Sequence, residues 1–312
     1  MAVEQQLPVH PRATFFGEGP YPHRRARIAV GAILAGFVLT AIWSAPFVDS
    51  VIGDSVANNL LGHDAKATPI SGVLAGTLFA FVSGLAGSFT ACNIAAFGAV
   101  APLVGDQADR RRSALKPLGW IAVGMLTVSI GYGVIVALVG TRMPQFDTSK
   151  TTGLTPRGIQ SMVAFGVVGL VFLLMGLIAL GLVRNPFAGF TRRHPAAPLV
   201  LMGALIGGFL IGRPYPLFRI MFRSAAEQHD VLYGAAAFAL QSLGNIVVMA
   251  VLFLVLTYAT GGRVQRWLAA KPARVAAVTG AALLVGGTFT LLYWDVRVLG
   301  RLGIIWFPMV NW

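Results

Sequence analysis

Residues 200–222 read VLMGALIGGFLIGRPYPLFRIMF. The apolar run is long enough to cross a bilayer, which takes about 20 residues at 1.5 Å rise each, but Arg213, Pro214 and Pro216 interrupt it. Proline removes a backbone donor and breaks a helix. In lipid the freed polar groups are tolerated only where they are buried in protein or line a cavity. An arginine inside a span is costly without a partner. Arg213, Pro214, Tyr215 and Pro216 are therefore candidates for lining a site, and two readings of Arg213 stand: structural pairing at an interface, or contact with an anionic ligand.

A second stretch of the same character lies upstream. Residues 72–103, GVLAGTLFAFVSGLAGSFTACNIAAFGAVAPL, are also rich in glycine and interrupted midway, and they hold Cys92, the chain's only cysteine. Asn93 beside it adds a polar group that needs a partner in a membrane interior.

Composition places both stretches in a bilayer. Of 312 residues 56% are hydrophobic and 11% charged, and the mean hydropathy is +0.75, far from the balance of a soluble domain. The net charge of +13 is spread over short clusters between apolar segments rather than gathered on one aromatic-studded face, which argues against nucleic acid as a partner. One cysteine excludes an intrachain disulfide and the multi-cysteine metal patterns.

Seven apolar segments are expected to span the membrane, at 28–47, 71–104, 117–140, 160–183, 197–222, 231–259 and 274–294. The second and sixth are long, which predicts a kink, a tilt or an interfacial turn. The fold class is thus an all-α polytopic membrane protein. Its bases set the topology. Arg24, Arg25 and Arg27, then Arg110, Arg111, Arg112 and Lys116, then Arg184, Arg192 and Arg193, then Arg263, Arg266, Lys271 and Arg274 all fall on one side. The N-terminus is therefore expected in the cytoplasm and the C-terminus outside. Residues 1–27 read as an irregular cytoplasmic tail, rich in proline and glycine and without a period. A leader of that length is long for the n-region of a signal peptide, so 28–47 is expected to be a retained N-terminal transmembrane helix. Residues 295–312 close the chain as an aromatic extracytoplasmic tail, with Trp306 and Trp312 suited to an interface or a partner.

After the first helix, the six remaining spans divide into two sets of three. A unit with an odd number of spans, repeated in tandem, enters the membrane from opposite sides, and such inverted repeats carry their site near the midplane. The two interrupted stretches are the first segments of the two sets.

Residues 71–294 resemble the six-helix membrane domain of the DsbD/CcdA superfamily. The resemblance rests on the glycine-rich entry into SFTACNIAAFGAVAPL (88–103), the short basic loop RNPFAGFTRRHPAAP (184–198), and the closing helix PARVAAVTGAALLVGGTFTLLYW (272–294). Proteins of this family carry thiol reducing equivalents across bacterial cytoplasmic membranes for cytochrome c maturation and related tasks, using one cysteine beside prolines in each repeat. The resemblance implies that Cys92 is the first of these. In the second repeat GRPYPLF (212–218) keeps Pro214 and Pro216 but has Tyr215 about where the second cysteine falls. A redox-active chain of this kind is then a thiol-disulfide electron carrier that needs a cysteine from a membrane or extracytoplasmic partner, because a mixed disulfide requires a resolving thiol.

Cys92 also has a plain reading as a small buried hydrophobe. Two other functions therefore stay open: a non-catalytic subunit or assembly factor of a larger membrane complex, and a transporter of a soft metal or small solute. No cofactor is expected. His63, Asp54 and Asp64 make a weak metal set in a loop. The spacings Gly72/Gly76, Gly203/Gly207 and Gly208/Gly212 read as helix-contact faces. No acid is expected within a span.

Overall fold

The computed structural model describes residues 21–44, 47–68, 70, 72–88, 115–147, 153–212, 216–259 and 263–310. Among them there is no strand. The helices are α1 (Arg25–Ile42), α2 (Asp54–Leu61), α3 (Gly72–Gly87), α4 (Leu115–Val139), α5 (Pro156–Ala179), α6 (Ala188–Arg193), α7 (Ala197–Gly212), α8 (Pro216–Gln228), α9 (Val231–Ala259), α10 (Arg263–Ala269), α11 (Pro272–Leu291) and α12 (Arg297–Arg301). A π-helical turn, Leu292–Val296, joins α11 to α12, and another, Phe47–Gly53, leads into α2.

Among the described residues, five helical segments are long and apolar enough to cross a membrane: Arg25–Ile42, Lys116–Arg142, Pro156–Ala179, Val231–Val255 and Ala273–Arg301. They correspond to five of the seven expected spans. The protein is an α-helical polytopic membrane protein. The expected span at 197–222 is two helices, α7 and α8, whose axes differ by 84°. The expected span at 71–104 appears as α3, 16 residues long; its continuation from residue 89 lies outside the described residues.

The bundle packs in series. α1 lies on α11, α11 on α5, α5 on α7, α7 on α4, α4 on α9, and α9 on α3. Small residues set these contacts, as expected where lipid removes the hydrophobic drive for helix association. α1 buries Ala29, Ala32, Gly36 and Thr40 and leaves Val30, Leu34 and Val38 exposed, the reverse of a water-soluble amphipathic helix. A Cβ added to Gly36 would fall 2.8 Å from Thr288 Cβ on α11.

Between α3 and α9, Gly84 lies against the Gln241 carbonyl and Gly244 against that of Phe81. Between α7 and α4, Gly203 lies against the Ile121 carbonyl and Gly124 against that of Val200. None of the four has room for a side chain. Between α5 and α11, Gly169 faces Gly287 and Gly176 faces Gly280.

α8 differs from the others. It buries Leu217, Phe218, Met221, Phe222, Ala225 and Ala226 against α3, α4 and α9, and leaves Arg219, Arg223 and Glu227 exposed. That i, i+4 pattern is amphipathic, so α8 is read as lying across the end of the bundle. Pro216 takes its first position, where a missing N–H costs nothing.

Candidate functional site

Of the candidate site residues, Cys92, Asn93, Arg213, Pro214 and Tyr215 lie outside the described residues, and Pro216 opens α8. Among the described residues, buried polar groups gather in three places.

The first is a seam in the interior, at the middle of α9. Gln241 and Ser242 are fully buried and Asn245 is nearly so. Ser242 donates to Ser129 Oγ on α4, and Ser129 donates to the Met125 carbonyl at 2.8 Å. Ser88, just past the end of α3, lies 2.9 Å from Asn245 Oδ1 and 2.9 Å from the Gly84 carbonyl. Among the described residues the side-chain amide of Gln241 has no partner at either its oxygen or its nitrogen, and leaving such a group unsatisfied costs about 1–3 kcal/mol. Helices from both expected repeats contribute: α3 and α4 from one, α9 from the other. From Ser88 the chain runs directly into the segment that holds Cys92.

The second place is a cleft where α7 breaks, lined by Gln145, Arg157, Gln160, Ser161, Gly212 and Arg219, among others. Its floor is a hydrogen-bonded chain. Tyr132 donates to Gln145 Oε1 at 2.8 Å. Gln160 Nε2 lies 2.9 Å from the Tyr132 hydroxyl and donates to the Ile211 carbonyl at 2.8 Å. The last carbonyls of a helix lack intrahelical partners, so Gln160 satisfies one that the break sets free. Gln160 Oε1 is buried without a protein partner. Arg157 stands in the first turn of α5, whose N-cap Thr155 accepts from the Gly158 amide at 3.1 Å, and Arg219 stands in the first turn of α8. Partial burial, then the like charges of Arg157 and Arg223, hold the Arg219 guanidinium below its ordinary pKa.

The third place lies just past the expected end of the last span. Asp295 reads as the end of the last span, and no acid is expected within one. The helix instead continues through the π turn to Arg301, which leaves Asp295 facing Gly166 of α5 with Oδ2 buried and unpartnered. Arg297, 3% exposed, donates to the carbonyls of Thr40 and Trp43 at 2.7 and 2.8 Å and lies over the Tyr293 ring. π turns of this kind often mark functional positions.

The loop set His63, Asp54 and Asp64 does not converge. Asp54 pairs with Lys66, Asp64 accepts from the Lys66 amide at 2.9 Å, and His63 is exposed. No cluster of three potential metal ligands occurs among the described residues.

Neither the seam nor the cleft stands out in the sequence. Gln241 is one polar residue averaged into a long apolar window. Gln160 and Arg157 read as the polar start of a span. Only the proline break pointed to the right end of the bundle. No protein-family model matches the chain, and neither the curated proteins nor the solved structures contain a match.

Proposed function

We propose that the chain is a DsbD/CcdA-like carrier made of two inverted three-helix repeats. It sits in a bacterial cytoplasmic membrane, N-terminus inside and C-terminus outside, and passes thiol reducing equivalents outward through Cys92 and partner thiols, in cytochrome c maturation or a related task. The observation that carries this reading is the buried polar seam. It lies midway along α9, draws on both halves, and begins at Ser88, four residues before Cys92. A site near the midplane between repeats is where such carriers place their chemistry.

The helix contacts support the repeat. Gly84 and Phe81 of α3 stand 119 residues before Gly203 and Val200 of α7, while Ile121 and Gly124 of α4 stand 120 before Gln241 and Gly244 of α9. One close contact thus maps onto the other. The facing pairs of α5 and α11 exchange likewise, since Gly169 and Gly176 stand 111 residues before Gly280 and Gly287.

In the cycle, the Cys92 thiolate attacks a partner disulfide, forms a mixed disulfide and releases the partner's other sulfur as a thiolate. A donor thiolate then attacks Cys92 Sγ and expels the partner's first sulfur. The donor's second thiol resolves the new mixed disulfide and restores Cys92. The donor dithiol loses two electrons and the partner disulfide gains them. The test is Cys92→Ser in cells, with trapping of mixed disulfides. Loss of reductant delivery and of the trapped species is the expected result, and undiminished delivery would exclude the reading.

A second reading, a subunit or assembly factor of a membrane complex, draws on the tail. Phe307 is buried and packs edge-on against Phe37 of α1 with centroids 5.8 Å apart, and the Val310 amide donates to the Ala41 carbonyl at 3.1 Å. Trp306, immediately before Phe307, is 86% exposed. A tail pinned directly after an outward tryptophan presents a docking element. Under this reading Cys92→Ser is silent, and Trp306→Ser loses a co-purifying partner.

A further inference from the structure

The cleft at the break of α7 is a second functional feature, independent of thiol chemistry. Arg157 and Arg219 share it, and among the described residues no carboxylate forms a salt bridge with either, whereas Arg223, one turn further along the same face of α8, lies 3.8 Å from Glu227. Two uncompensated like charges side by side are a cost that a bound anion removes. The helix ends add to the charge. α5 and α8, of 24 and 13 residues, both begin at the cleft, and the N-terminus of a helix carries partial positive charge and free amides. The buried Gln160 Oε1, unpartnered in the protein, adds an acceptor suited to a ligand oxygen that carries a proton.

We propose that this cleft binds a phosphate group: two oxygens held by Arg157 and Arg219, and a protonated oxygen donating to Gln160 Oε1. Guanidinium groups match this geometry through paired N–H donors. The phosphate is either inorganic or that of a lipid head group reaching over the rim of α8, since both present the same chemistry at the end of the bundle. Binding there ties α5 to α8 across the break and so fixes the angle at which α8 lies on the bundle.

The experiment uses the full chain in nanodiscs and reads the unfolding temperature. In phosphatidylcholine discs, inorganic phosphate is titrated against chloride at equal ionic strength. In a second arm, phosphatidylglycerol replaces part of the phosphatidylcholine without added phosphate. The expected result is stabilisation in at least one arm, the first identifying free phosphate and the second the head group. Arg157→Gln or Arg219→Gln weakens the apparent affinity in that arm by about tenfold or more, the loss expected for one charge-assisted pair. Arg223→Gln, which removes a charge outside the lining of the cleft, changes it less than either. Both variants replace side chains that reach solvent, and the charge reversal Arg219→Glu, expected to abolish the response, provides an independent check. No response in either arm, an equal response to chloride, or a parental response in Arg219→Glu would overturn the proposal.

Discussion

Arg297 donates to the carbonyl of Thr40 at 2.7 Å, joining the two ends of the chain across 257 positions. The guanidinium supplies to α1 what its last turn lacks, because a helix ends with carbonyls that have no partner of their own, and a cation there also meets the negative end of the helix dipole. A second bond, to Trp43 at 2.8 Å, completes the arrangement. The N-terminal helix is thereby fastened to the rest of the bundle at one end by Arg297 and along its length by the Gly36 contact with α11. Replacing Arg297 by Leu removes both bonds and leaves two carbonyls without a donor. The expected loss is about 2–3 kcal/mol, seen as a lowered midpoint of thermal unfolding in detergent. Arg301→Leu, at an exposed position, should change the midpoint little.

The glycine contacts make a sharper test of the packing. Gly84 and Gly203 each lie against a carbonyl of the facing helix with no space for a Cβ, whereas Gly31 in α1 and Gly131 in α4 meet nothing within 4 Å. Gly84→Ala and Gly203→Ala must push helices apart, at about 1–3 kcal/mol each, the usual cost of overpacking. Gly31→Ala and Gly131→Ala gain helix propensity instead, up to about 1 kcal/mol. If the two classes of variant unfold at similar temperatures, the close approach of α3 to α9 and of α4 to α7 is wrong.

How far the sequence could be read follows from what hydropathy averages over. Long apolar runs announced the spans, and Pro214 with Pro216 announced the break, because both signals are local and strong. The turn of α8 was harder to see: its apolar residues continue the run of α7, and only the spacing of Arg219, Arg223 and Glu227 marks a new face. Asp295 and Arg297 were hidden by their own charge, since a fall in hydropathy after Trp294 reads as the end of a span even though the helix continues through a π turn. Gln241 was hidden by its neighbours. Cys92 itself lies outside the described part of the fold, so the chemistry of that thiol rests on the sequence alone.

The tail yields a prediction that separates anchoring from docking. Phe307 is 7% exposed and reaches both Phe37 and Gly300, so Phe307→Ala should free the segment after Arg301. Buried Phe→Ala changes cost about 3–5 kcal/mol in a core. At a chain end the readout is faster proteolysis of the tail rather than global unfolding. Trp306→Ser should leave that proteolysis rate unchanged, because its side chain meets solvent or lipid in the isolated protein.

Gln241 offers the clearest contest between stability and function. Its amide is fully buried and unpartnered at both ends, in helices whose other buried hydroxyls and amides found partners within the seam. A group held in this state lowers stability unless a ligand, a water or a reacting neighbour meets it. Gln241→Leu has similar volume and no polar atoms, so the variant should unfold at a higher temperature, by an amount corresponding to about 1–3 kcal/mol. If the seam serves the carrier, the same variant should deliver reductant more slowly than the parent, the trade-off expected where a site is maintained at the expense of the fold. A variant both more stable and fully active would make the seam a packing defect and remove the observation on which the carrier reading rests. A variant less stable than the parent would show that Gln241 is satisfied in the membrane by a partner that stays with the protein on purification, and native mass spectrometry of parent and variant would then differ by that partner's mass.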